Sequence, residues 1–87
     1  MVTQVRQQFG SKVRRLRERR GISLRQFALS VNLDKTFLSD IERGNRSATL
    51  DTIDKIARGL DVSLSELFLG VGDNEGTTGM NVDNPRV

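Results

Sequence analysis

The chain has 87 residues, no cysteine, no histidine and a formal net charge of +3. That length allows one compact domain at most, and the missing residue types exclude disulfides, thiolate nucleophiles and almost every transition-metal site. The charge is lopsided: residues 1–46 hold eleven Lys or Arg against four Asp or Glu, a net +7, whereas residues 47–87 hold three against seven, a net −4. A basic half facing an acidic half suits a polyanion docked on one side, although an ordinary solvated surface can carry the same balance. No stretch reaches the roughly 18–20 apolar residues of a membrane span. The N-terminal residues lack the apolar run of a signal peptide, so the expected location is cytoplasmic, away from any membrane.

In chain order, Val5, Phe9, Val13 and Leu16 lie four, four and three apart and form one apolar helical stripe. Gly21 suits the left-handed position that ends such a helix, and Gly10 weakens it locally by about 1 kcal/mol relative to Ala. Ser23 is a good N-cap for a short second helix carrying Leu24, Phe27, Ala28 and Val31, which breaks near Asn32. Asp34 caps a third short helix through Phe37, Leu38 and Ile41 to Arg43, closed by Gly44. Residues 44–48 read as a loop. Thr49 caps a fourth helix with Leu50, Ile53, Ile56, Ala57 and Leu60 on its inner face. Its acids Asp51 and Asp54 come early and Lys55 and Arg58 late, as the helix dipole favours. Ser63-Leu64-Ser65-Glu66 has capping-box spacing and opens a fifth helix with Leu64, Leu67, Phe68 and Leu69. From Gly70 to Val87 the apolar period is lost, and a flexible tail is expected. No segment alternates with period two. The expectation is an all-α, compact five-helix bundle over residues 3–69.

Two short helices joined by a tight turn, over about residues 23–43, fit a helix-turn-helix whose second member enters the major groove. Leu38 and Ile41 anchor that helix, while Lys35, Thr36, Ser39 and Asp40 project outward. The runs Ser23-Leu24-Arg25-Gln26-Phe27-Ala28, Asn32-Leu33-Asp34 and Leu38-Ser39-Asp40-Ile41-Glu42-Arg43-Gly44 resemble the Cro/repressor-type, or XRE-like, helix-turn-helix family. So do Thr49-Leu50, Ile53, Ile56-Ala57, Leu60 and Ser63-Leu64-Ser65-Glu66-Leu67-Phe68, which extends the resemblance over roughly residues 9–69. It implies a lambda-repressor-like domain that binds double-stranded DNA as a homodimer on a pseudo-palindromic operator and regulates transcription.

The same resemblance implies roles for single residues. Lys35, Thr36, Ser39 and Asp40 would meet base edges, since Lys can donate to guanine, Thr can offer a methyl to thymine and Asp can accept from cytosine. Ser23, Arg25, Arg43, Asn45 and Arg46 would touch phosphates. Arg17 and Glu42 match a structural ion pair between the first and third helices. Leu24 departs from the Gln that many relatives carry, which removes one DNA contact or passes it to Arg25. Asn32 replaces the usual Gly of the turn. Phe37 reads as packing, a thymine-methyl contact or a dimer contact. The basic run Lys12, Arg14, Arg15, Arg17, Arg19 and Arg20 reads as a solvated face or as phosphate contacts. Leu64, Leu67 and Phe68 either close the core or form the dimer interface.

Residues 32–43 look most like the controller proteins of restriction–modification systems, with phage repressors and antitoxins as the other small relatives. No ligand-sensing domain, cofactor or metal is expected, so regulation falls to the protein's own concentration or to a regulatory protein partner. No base accompanies the serines to activate them as nucleophiles, so no enzyme is expected. An antitoxin-like interaction module is the alternative from another class. RNA binding is a weaker one, for want of an aromatic stacking platform.

Overall fold

The computed structural model describes residues 4–73; residues 1–3 and 74–87, which include most of the expected tail, lie outside the described part. Five helices follow in order: α1 (Gln4–Arg19), α2 (Leu24–Ser30), α3 (Lys35–Glu42), α4 (Leu50–Leu60) and α5 (Leu64–Phe68). Among the described residues there is no strand.

Side-chain caps start four of the helices. The side chains of Ser23, Asp34, Thr49 and Ser63 accept from the backbone N–H of Gln26, Phe37, Thr52 and Glu66. Each such cap contributes about 1 kcal/mol. The reciprocal capping box closes at Ser23, whose own N–H donates to Gln26 Oε1 at 2.9 Å. At Ser63, where the sequence suggested such a box, the structure forms the serine half.

Four helix ends share one device. Gly21, Asn32, Gly44 and Asp61 are left-handed, with φ between 58° and 80°. The N–H of the next residue reaches back five positions, from Ile22 to Arg17 O, Leu33 to Ala28 O, Asn45 to Asp40 O and Val62 to Ala57 O. These are Schellman closures, which satisfy carbonyls that would otherwise be orphaned. In three of them the reaching residue, Ile22, Leu33 or Val62, is apolar and packs on the core.

That core contains Val13, Phe27, Leu38, Ile41, Ile56, Leu60 and Leu67, all essentially inaccessible. Two residues placed on inner faces by periodicity lie outside it. Val5 is more than half exposed and Leu50 is 82 % exposed, because each sits in the first turn of its helix, beyond the reach of the opposing element. The chain after α5 also differs from the expectation of a free tail at Gly70. Residues 70–73 turn back along α1, with Val71 packed against the core and Gln8 bonded to the backbone of Gly72 and Asp73.

Gly10 has a larger role than helix propensity suggested. A Cβ there would collide with the carbonyl oxygens of Ile41 and Glu42, so the backbone of α3 lies directly against α1 at this point. Gly10→Ala therefore sets two effects against each other. Propensity favours Ala by about 1 kcal/mol, while overpacking against rigid backbone costs about 1–3 kcal/mol. We expect a net loss, seen as a lower urea midpoint at unchanged m-value.

Candidate nucleic-acid interface

One face of α3 is buried through Leu38, Ile41 and Glu42. At 100° per residue, Thr36, Asp40 and Arg43 fall on the opposite ridge, with Lys35 and Ser39 on one flank and Phe37 on the other. Lys35 and Thr36 are exposed, and Ser39 and Asp40 are partly so. This short helix therefore presents one donor, two hydroxyls and a carboxylate, with a further cation at its end.

Its seat on α1 is fixed by charge as well as by the contact at Gly10. Arg17 Nε and Nη2 donate to Glu42 Oε2 and Oε1 at 2.8 and 3.0 Å, and Arg17 Nη1 donates to Ile22 O at 2.9 Å. Both side chains are about nine-tenths buried or more. The hydrogen bond to Glu42 raises the Arg17 guanidinium above its ordinary pKa, against the opposing effect of burial, and the charges of Glu42 and Glu18 add to the rise. Arg17 thus stays charged throughout the accessible pH range. One guanidinium ties together α1, the turn into α2 and the end of α3.

The outward residues are not independent of one another. Arg43 Nη2 donates to Asp40 Oδ1 at 3.1 Å, with Asp40 23 % exposed. An exposed pair of this kind is worth about 0–1 kcal/mol, so it is readily exchanged for other partners. Beyond α3, the guanidinium of Arg46 lies over the Phe37 ring, 5.1 Å from its centroid, while Phe37 packs at the margin of the core. Of the three readings of Phe37, the structure contains the packing, and it adds a cation–π contact that none of the three named. The pairing spans nine residues across a helix end and leaves no periodic signal in the sequence. Asn45 occupies the Schellman position that is apolar in the other three closures, yet it is exposed. An amide stands there where packing alone would select a hydrophobe.

Most of the basic run on α1 has intramolecular partners. Lys12 donates to Glu66 O and Leu69 O, Arg14 pairs with Glu18, Arg17 with Glu42, and Arg20 donates to Leu60 O. Among the described residues, Arg15 and Arg19 are the members of that run without such a bond. Ser23 Oγ accepts from the Gln26 N–H as the α2 cap, and Arg25 is exposed in the first turn. On α5, Leu67 is fully buried within the monomer and cannot belong to a dimer surface; it closes the core. Leu64 and Phe68 remain at the surface, together with Leu69.

The match to known families follows this geometry. The helix-turn-helix family model matches residues 13–67, which run from the α1 core stripe to the core leucine of α5. The chain belongs to that family. As an XRE-type helix-turn-helix protein it is a DNA-binding transcriptional regulator. It is 44 % identical over 61 residues to the control protein C.MunI of Mycoplasma sp, covering 69 % of this chain and 82 % of that one. It is 38 % identical over 78 residues to the control protein C.BamHI of Bacillus amyloliquefaciens, covering 86 % and 96 %. Among solved structures, the restriction–modification controller protein C.AhdI of Aeromonas hydrophila superposes with a TM-score of 0.71 at 36 % identity, over 72 % of this chain and 96 % of that one. The controller protein C.Esp1396I, solved as a tetramer with its natural 35 base-pair operator, gives 0.71 at 28 % identity, over 77 % and 88 %.

The seat of α3 yields a stability prediction. Removing one member of a buried pair strands the other charge, so Glu42→Ala or Arg17→Ala should each cost about 3–5 kcal/mol in chemical denaturation. The double replacement Arg17→Met with Glu42→Leu should recover most of that loss. Phe37→Leu should keep the fold but free Arg46, a change visible in the Arg46 side-chain resonances.

Proposed function

We propose that this helix-turn-helix protein is a controller-type regulator that binds a pseudo-palindromic operator as a homodimer in the cytoplasm, without a catalytic step. The observation that carries the reading is the polar outer ridge of α3, held rigidly by the Gly10 contact and the Arg17–Glu42 pair. Fixed side chains of this kind can discriminate base edges. Lys35, Thr36, Ser39 and Asp40 read bases, with Asp40 exchanging its Arg43 partner for a base donor. Ser23, Arg25, Arg43, Asn45 and Arg46 hold the phosphate backbone; Ser23 does so from its cap through the hydroxyl proton that the cap leaves free. Leu64 and Phe68 meet the same residues of a second copy across a two-fold axis, which sets the two α3 helices about 34 Å apart on one face of the duplex. The controller relatives, one of them a tetramer with its operator, support this reading.

Selection from a random duplex library at about 150 mM salt, where non-specific attraction is weakened, tests it. A symmetric motif with half-sites about one helical turn apart is the expected result. Salt-sensitive binding to every sequence alike would overturn sequence reading and favour a protein-interaction module. On the selected site, Lys35→Ala should lose about 1–3 kcal/mol and relax preference at one base-pair position. Arg25→Ala or Arg46→Ala should weaken all sequences uniformly and reduce the slope of log K against log salt by about 1.

A further inference from the structure

The end of α5 is built unlike the other helix ends. This helix has five residues, far below the dozen or so that sustain a helix in water, and only Leu67 of it is buried. Its C-cap, Leu69, is extended with φ −60° and ψ 122°, so no left-handed residue closes it directly. The Leu69 N–H closes on Glu66 O at 3.2 Å, and α1 reinforces this end from outside the helix. Lys12 Nζ donates to Glu66 O and to Leu69 O, both at 2.9 Å, which places a cation at a helix C-terminus where the dipole favours it. Further along, the Gln8 side-chain amide pairs with the strap in the manner of a peptide group. Gly72 N donates to Gln8 Oε1 at 2.6 Å, and Gln8 Nε2 donates to Asp73 O at 3.0 Å. Gly70 and Gly72, with φ of 87° and 91°, allow the strap to turn there.

The segment so fixed carries an exposed apolar patch. Leu64 and Leu69 lie open, and Phe68 is backed by Phe9 in a stack with centroids 5.2 Å apart. We infer that Lys12 and Gln8 are positioning residues for self-association, sewing the segment from Glu66 to Asp73 onto α1 so that Leu64, Phe68 and Leu69 are held in register for a second copy of this chain. The inference rests on the homodimer reading. It gives the first member of the basic run a task on the side of α1 that carries α5. A two-fold interface needs the same patch on both copies, so any displacement of α5 counts twice.

Sedimentation over a concentration series, with the full chain and no DNA, tests this. Lys12→Met, which keeps the aliphatic stem and removes the donors, should weaken self-association about tenfold, a difference of about 1.4 kcal/mol. Lys12→Arg should restore most of it. In a Phe68→Ala background, Lys12→Met should add little, because the face it positions is already lost; a merely structural lysine would act additively. Gln8→Leu provides the same measurement with Lys12 intact should Lys12→Met fail to fold. A parental association constant in both Lys12→Met and Gln8→Leu, or full additivity with Phe68→Ala, overturns the inference while leaving the dimer standing. A parent chain that stays monomeric at every concentration overturns the dimer reading, and this inference with it.

Discussion

The clasp between α1 and α3 sets the position of the polar ridge proposed to read DNA. Arg17 and Glu42 bond in a bidentate pair inside the protein, and the third arm of the guanidinium holds Ile22 O. Desolvation cancels much of the Coulombic gain of a buried pair, so its net contribution to stability is small while the cost of breaking it is large. Its consequence is geometric, since two parallel N–H···O bonds fix distance and angle together. Gly10 allows the same approach from the steric side, by letting the α3 carbonyls come up against the α1 backbone. A helix of eight residues has little stability of its own; this seat is what holds α3 in place.

Rigidity on the inner face goes with labile partners on the outer one. The Asp40–Arg43 pair and the Arg46–Phe37 contact are exposed or partly exposed. Such contacts are weak enough in water to be exchanged for other partners without disturbing the core. The departure of Asn45 from the apolar Schellman pattern follows the same division. Where Ile22, Leu33 and Val62 fold inward, this one closure keeps a hydrogen-bonding side chain in solvent at the end of α3.

The positive charge of the N-terminal half divides in a similar way. Lys12, Arg14, Arg17 and Arg20 are used within the chain, as a helix-end cap, two ion pairs and a carbonyl donor. The positive charge near α3 comes from Arg25, Lys35, Arg46 and Arg43, the last of which is paired with Asp40. Net charge alone could not have separated these groups, because it records sign and number but not partners.

Helix starts were legible in the sequence because a cap is a local event. Ser23, Asp34, Thr49 and Ser63 each bond an N–H three residues away, and Gly21, Asn32 and Gly44 mark three of the four left-handed ends. Asp61 was missed, since an aspartate, unlike Gly, adopts that conformation only occasionally. The outward face of α3 also followed from spacing and residue type. Tertiary structure alone decided which of the regularly spaced apolar residues found a partner. Val5 and Leu50 did not, whereas Leu67 was taken wholly into the core. It also turned Gly10 from a weak point of one helix into a contact between two, gave Phe37 a cation to carry, and assigned Lys12 to the end of α5. Each of these depends on residues far apart in sequence meeting face to face, and periodicity within one element carries no record of what lies opposite.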